Sequence, residues 1–374
     1  MSYEDPVNQR SMVLDDWRNS FYERALASVI TPESVVLDAG SGLGVLGFIA
    51  ASLGAKKVYM VEPETNLEAV KLIARANGLD DRVELIKGTI ERAAIPEKAD
   101  IITSVFTGNF LLEEDLLPVL FRARDSFLKP GGVLLPGKGQ MKLVPVSLQD
   151  YYDVQISCWK NSQGRVDHSP MHRFAVNQVY YDSFNKKPFR KLAQASTVCE
   201  IDFYTANEAG CDTDVSITVT ESGYLHGFLG WFDMSFEGQW LSTSPEEKAT
   251  HWSQAFLPID PVIEVTEGDL LQLRLRRPQN GEWSWTLETG GSRSQHSTFL
   301  SRPFTPADLE RKSASFRPDL NNEGQAVRFL LGRFDGQLGV SELALLIREN
   351  FPDLFVDGNA ALKFVTRHVE RFGE

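Results

Sequence analysis

The sequence predicts a three-part chain: an α/β domain built on a parallel sheet over residues 1–136, a β-barrel over residues 137–304, and a small helical module over residues 305–374. Three observations carry that reading. Short β-rich runs alternate with helical spacing up to Pro136, period-two runs and turn dipeptides dominate the middle, and the apolar spacing turns helical again after Thr305.

In the first part, Val35-Val36-Leu37, Val58-Tyr59-Met60-Val61 and Ile101-Ile102-Thr103-Ser104 are strand-like, and residues 67–76 between two of them carry helical spacing. Strand, helix and strand in succession imply a parallel sheet with right-handed crossovers. Lys129-Pro130-Gly131-Gly132 turns the chain into a further strand at Val133-Leu134-Leu135. In the second part, residues 215–220, 270–275 and 283–287 alternate with period two, and Asn280-Gly281 and Gly290-Gly291 supply turns, the pattern of an all-β barrel or sandwich. The third part opens on Thr305-Pro306-Ala307-Asp308, a helix start with Thr305 as cap and Pro306 in the first turn.

Composition narrows the function classes. Of 374 residues, 42% are hydrophobic and 24% charged, as in an ordinary globular protein. No apolar run reaches the roughly 18 residues that span a bilayer, and the N-terminus lacks the apolar centre of a signal peptide. No membrane partner and a cytoplasmic location are therefore expected. Cys158, Cys199 and Cys211 are widely spaced and odd in number, which suits a reducing compartment and points to no metal cluster. A net charge of -13 repels phosphate backbones, so nucleic acid is not an expected substrate.

The sharpest motif is Val35-Val36-Leu37-Asp38-Ala39-Gly40-Ser41-Gly42-Leu43-Gly44. A hydrophobic strand ends in an acid and a glycine-rich turn through which a ligand can approach the backbone closely. The dinucleotide fingerprint needs its third glycine one position later, where Val45 stands. S-adenosylmethionine has no pyrophosphate to cradle, and its methionine moiety fits over such a loop. Glu62 ends the next strand, where a carboxylate accepts from both ribose hydroxyls. In Lys87-Gly88-Thr89-Ile90-Glu91, Ile90 is placed to pack on adenine and Glu91 to accept its exocyclic amine. Asp38, Gly40, Gly42, Glu62, Ile90 and Glu91 in this order point to a Rossmann-like class I methyltransferase domain with S-adenosyl-L-methionine as cofactor.

The same residues resemble the protein arginine methyltransferases, over almost all of residues 9–300. Residues 12–22 look like that family's N-terminal helix, with Asp15, Arg18 and Tyr22 at the family's spacing; the family's histidine nine residues before the arginine is Gln9 here. The resemblance implies that Arg18 grips the cofactor's carboxylate. Ser242-Thr243-Ser244-Pro245 and Thr250-His251-Trp252 look like the family's barrel motifs, and imply that His251 meets Asp15 beside the acceptor pocket. The family also dimerises through an arm that falls at about residues 157–180 here, where Trp159, Met171 and Phe174 offer a partner surface; a homodimer is expected, with a long surface loop as the alternative.

The departure lies in residues 104–115. The family holds two glutamates on one hairpin, where they clamp the substrate guanidinium through paired, charge-assisted hydrogen bonds. Glu114 stands at the second position, but Val105 stands at the first; Phe106 and Thr107 replace an aromatic residue and a methionine, and Gly108 is retained. Glu113 would point elsewhere on a regular backbone. A half-paired guanidinium costs about 1–3 kcal/mol.

Three readings follow. The chain N-methylates arginine, free or in a peptide, with Glu114, His251 and Asp15 as catalytic residues. Alternatively it methylates a non-guanidino acceptor in small-molecule or peptide natural-product metabolism, or it binds the cofactor as a pseudo-enzyme. The tail beyond residue 320 adds apolar spacing at Ala326, Phe329 and Leu330 and at Leu343, Leu345, Leu346 and Ile347, a turn at Phe334-Asp335-Gly336-Gln337 and a closing helix over residues 360–372. It resembles PqqD-like winged-helix modules, which bind leader peptides by adding a strand to a sheet edge; a helical cap is the plainer alternative.

Overall fold

The computed structural model describes residues 9–63, 67–160 and 165–373, and the chain divides into two compact units, 1–303 and 304–374. No helix among the described residues is long and apolar enough to cross a membrane.

The first unit opens with a short helix α1 (Arg10–Val13) and α2 (Asp16–Val29), followed by β1 (Val35–Ala39), α3 (Val45–Ser52), β2 (Lys57–Glu62), α4 (Leu67–Ala76), β3 (Val83–Lys87), β4 (Ala99–Ser104), α5 (Leu117–Phe127) and β5 (Leu128–Leu135). The five strands form one parallel sheet in the order β3-β2-β1-β4-β5. β1 is buried along its whole length, which is why Val35, Val36 and Leu37 run on as consecutive apolar residues rather than alternating. α2 buries Phe21, Tyr22, Ala25 and Leu26, one face at helical spacing. The order of the strands reverses between β1 and β4. The crevice beyond the C-terminal ends of those two strands is where open α/β sheets bind ligands, and both the glycine loop and the hairpin of residues 105–115 start there.

The chain continues through β6 (Lys138–Ser147), α6 (Gln149–Gln155), α7 (His172–Ala175), β7 (Tyr180–Asp182), β8 (Arg190–Lys191), β9 (Ser196–Asp202), β10 (Cys211–Thr218), β11 (Gly223–Phe236), β12 (Gln239–Ser242), β13 (Gln254–Val265), β14 (Leu270–Arg277), β15 (Ser284–Thr289) and β16 (Ser292–Ser297). The expected barrel is not closed. The strands form a four-stranded sheet, β10-β14-β15-β16, and a seven-stranded sheet along β7-β13-β11-β6-β8 with β12 on β11 and β9 on β6. The alternation in β14, where every second residue is buried, reports one covered face and is silent on closure. Central β11 is buried on both faces from Leu225 onward. Tyr152 and Ile156 around α6 and Ala175 of α7 pack with Val144, Val146 and Phe256 in a core of their own, while Val154 and Met171 stay exposed. Residues 161–164 of the expected arm lie outside the described residues.

The second unit contains α8 (Pro306–Arg311), α9 (Asn322–Leu331), α10 (Val340–Asn350) and α11 (Gly358–Phe372). Thr305 and Asp308 cap α8 reciprocally, as the sequence indicates. Ala326, Leu330, Leu343, Ile347, Ala361 and Val365 form its core, whereas Leu345 faces solvent. The winged-helix expectation fails on one point: no strand occurs among the described residues of this unit, so it offers no sheet edge of its own for strand addition.

Candidate active site

The glycine turn after β1 has positive φ at Gly40 (72°), Gly42 (53°) and Gly44 (85°), a conformation that side-chain-bearing residues rarely adopt. It is also crowded: a Cβ at Gly40 would stand 2.5 Å from the Phe106 ring, and one at Gly42 would stand 2.7 Å from Gln9 Oε1. Gln9, which the sequence presents only as a replaced histidine, is buried, and its Oε1 accepts the Leu43 N–H at 3.0 Å. Glu62, also buried, accepts the Gly42 N–H at 2.7 Å. Asp38 accepts the Gly47 N–H at 2.8 Å and so ties β1 to α3. Burial, together with the charge of Glu62, pushes the Asp38 carboxyl up to about 7. The Gly88 N–H donates to the Glu62 carbonyl at 3.1 Å, bringing the loop of Ile90 and Glu91 beside the end of β2. Ile90 is buried, whereas Glu91 is exposed and held by Thr89 and its own backbone.

Arg18 is 3% exposed, within electrostatic reach of Asp38. Its guanidinium donates to the Met12 carbonyl at 2.7 Å and to Asn19 Oδ1 at 2.7 and 3.0 Å. Asp15 caps α2, with Oδ1 accepting the Arg18 N–H at 3.0 Å. The other oxygen of the same carboxylate meets His251 twice, at the backbone N–H and at Nδ1, each at 2.8 Å. One side chain thus joins the helix of Arg18 to the loop before β13.

Burial lowers the pKa of His251, and the charge of Arg18 adds to that, against the opposing pull of Asp15. Burial also works against ionisation of Asp15, but hydrogen bonds from His251 and the Arg18 N–H outweigh it and bring the carboxyl below its ordinary value. At neutral pH the pair is therefore a carboxylate and a neutral imidazole. Asp15 accepts the proton on Nδ1, which leaves Nε2 with a lone pair.

The third component is the hairpin that leaves β4. Residues Phe110, Leu111, Glu114 and Asp115 all have positive φ. Gly108 pairs with Leu111, and a Cβ on Gly108 would overlap the Glu113 carbonyl. Trp252 Nε1 donates to the Thr107 carbonyl at 2.9 Å, the Ser253 N–H donates to Asn109 Oδ1 at 2.8 Å, and the Tyr22 hydroxyl donates to the Ser104 carbonyl at 2.8 Å. The hairpin is thereby fastened to the His251 loop and to α2. Glu114 is exposed, with φ at 72°. Glu113 is directed to Tyr181, whose hydroxyl donates to Oε2 at 2.6 Å. Asp115 receives both ends of the Arg277 guanidinium at 2.7 and 2.8 Å. No local motif singles out Tyr181, Asp115 or Arg277, because Tyr181 lies 68 positions from Glu113 and Arg277 lies 162 from Asp115.

The comparisons with known proteins agree with this geometry. Residues 36–132 match the methyltransferase domain family, and residues 137–289 match the arginine methyltransferase oligomerization subdomain. Protein arginine N-methyltransferase 6 of Danio rerio is 32% identical over 280 residues, covering 71% of this chain and 80% of its own length. Protein arginine N-methyltransferase 1 of Chlamydomonas reinhardtii is 29% identical over 307 residues, covering 79% and 89%. Among solved structures, the Trypanosoma brucei PRMT1 enzyme-prozyme heterotetrameric complex with AdoHcy superposes with a TM-score of 0.73 at 25% identity, covering 79% of this chain and 99% of that one. Arabidopsis thaliana protein arginine methyltransferase 10 gives 0.68 at 27% identity, with the same coverage. This chain belongs to the protein arginine N-methyltransferase family and is an S-adenosylmethionine-dependent methyltransferase.

Proposed function

We propose that this protein methylates a guanidinium nitrogen of arginine within a peptide or protein, with Glu114, His251 and Asp15 as the catalytic residues. The observation that carries the reading is the shared carboxylate of Asp15, which bonds Arg18 on the cofactor side and His251 on the acceptor side. The glycine cradle, Glu62 and Arg18 fit S-adenosylmethionine: a close-approach turn, an acceptor for ribose hydroxyls and a cation for a carboxylate. Asp38, Ile90 and Glu91 complete the proposed cofactor set. When bound, S-adenosylmethionine supplies a methyl group on a positively charged sulfur.

Glu114 accepts guanidinium N–H groups and draws the positive charge toward itself, leaving the far nitrogen more nucleophilic. Nε2 of His251 takes the proton that the methylated nitrogen gives up, and Asp15 stabilises the resulting imidazolium. Phe106, packed against the Gly40 turn, and Trp252, bonded to the Thr107 carbonyl, put aromatic side chains beside the glycine turn and the hairpin.

Val105 favours a second reading. With one clamp carboxylate replaced by an apolar side chain, the pocket also suits a less cationic acceptor. Incubation with isotope-labelled S-adenosylmethionine and an arginine peptide panel, followed by fragment mass spectrometry, separates the two. Label on arginine nitrogen supports the first; label on another residue or atom supports the second; no label with any acceptor points to a cofactor-binding pseudo-enzyme. We further propose a homodimer through the segment around residues 157–180. The exposed Val154 and Met171 and the matched oligomerization subdomain support it.

A further inference from the structure

We infer that Arg277 and Tyr181 are positioning residues for Glu114, setting its carboxylate from the β-rich part of the molecule. The inference rests on the reading that Glu114 holds the acceptor. Glu114 and Asp115 both have left-handed backbone, at φ 72° and 53°, which L side chains keep only where the surroundings hold them. Both residues flanking Glu114 are held by side chains of the β-rich part. On one side, Glu113 Oε2 accepts the Tyr181 hydroxyl at 2.6 Å. On the other, Asp115 takes the fork of Arg277 at 2.7 and 2.8 Å and the Asn280 N–H at 2.9 Å.

Arg277 is itself fixed. It ends β14, is 5% exposed, and lies over the Trp283 ring at 5.5 Å. Trp283 stacks on Phe110 of the same hairpin, with centroids 5.1 Å apart. Packing alone does not fix this side of the hairpin, because a cavity of about 280 Å³ lined by Glu113, Tyr181, Arg277 and Trp283 adjoins it. Burial and then the charge of Glu113 hold the Tyr181 hydroxyl well above its ordinary pKa, so it remains a donor. With Val105 at the first clamp position, Glu114 is the remaining clamp carboxylate. An error in its position is then uncompensated.

The test is steady-state methylation of an arginine peptide by four variants, with cofactor affinity and Tm measured alongside. Arg277→Met is expected to lower kcat about ten-fold or more, since a misplacement of about 1 Å can cost up to about a hundred-fold in rate. Tyr181→Phe, which keeps the ring and removes the donor, is expected to lower kcat about three-fold or more on the same ground. In both, S-adenosylmethionine affinity stays within about two-fold of wild type. The pair variant Asp115→Asn with Arg277→Met removes both charges of that ion pair together. It should keep the wild-type Tm and still be slow, which a purely structural role would not produce. Glu114→Gln tests the underlying reading separately. If it is inactive while the pair variant and Tyr181→Phe turn over at the wild-type rate, the inference fails and the reading stands. If Glu114→Gln is fully active, the reading fails and the inference with it. Parallel losses of Tm, cofactor affinity and kcat in all the variants also overturn it.

Discussion

Asp15 spends its two oxygens on different tasks, and the chemistry of the site follows from that division. Oδ1 closes the first turn of α2 and fixes Arg18; Oδ2 fixes His251. Burial, with the charge of Arg18, lowers the pKa of His251 and keeps it neutral at physiological pH, while the ionised Asp15 accepts the Nδ1 proton and leaves Nε2 available. Turnover should therefore fall on the acid side as His251 takes up a proton, with the midpoint of kcat/KM below the ordinary histidine value of 6.5. In Asp15→Asn the carboxylate that opposes the lowering is gone, so the midpoint should move lower still, with a reduced plateau. A midpoint unmoved by that substitution would separate His251 from the profile. On the cofactor side, Arg18→Ala and Glu62→Ala should each weaken S-adenosylmethionine binding by about ten-fold or more, roughly 1.4 kcal/mol. Calorimetry showing unchanged affinity in both folded variants would remove them from the site. The sequence made Asp15, Arg18, Glu62 and His251 legible because each sits at a fixed place in a short motif. Gln9, Tyr181 and Arg277 were opaque, since each acts through a partner tens of residues distant or more.

The hairpin of residues 105–115 is the element that carries Glu114. Its sequence shows an altered motif but not its conformation, because four non-glycine residues with positive φ are held by tertiary contacts rather than by local preference. On the regular backbone that the sequence suggested, Glu113 merely points away. In the structure it has a defined partner in Tyr181. Gly108 shows the same dependence in steric form, since any side chain there meets the Glu113 carbonyl. Gly108→Ala should cost about 1–3 kcal/mol of stability, measured by chemical denaturation, and should slow turnover beyond what the loss of folded protein explains. A variant with unchanged denaturation midpoint would show the hairpin to be less tightly determined. The strands of the parallel sheet were legible from their apolar runs. The open arrangement of the later sheets was not, because period-two alternation looks alike in a barrel and a sandwich.

At the scale of the whole molecule, the two units have separate cores, and the family matches end at residue 289. Helical spacing made α9, α10 and α11 visible in the sequence, while the absence of a wing strand was not. Deleting residues 304–374 should leave cofactor affinity and a dimeric native mass near twice that of the shortened chain. If the tail recruits peptide, turnover on a long precursor should fall much more than turnover on a short arginine peptide. Equal losses on both, or unfolding, would mark the tail as a structural cap.

We propose that this site delivers a methyl group to arginine through Glu114. It is tested most directly by fragment mass spectrometry of an arginine peptide after incubation with labelled S-adenosylmethionine, comparing the wild-type chain with Glu114→Gln at saturating cofactor. Label is expected on a guanidinium nitrogen with the wild-type chain, and turnover lowered at least about a hundred-fold in the variant, whose cofactor affinity stays near normal. Label confined to a different residue, or equal labelling by both proteins, would contradict it.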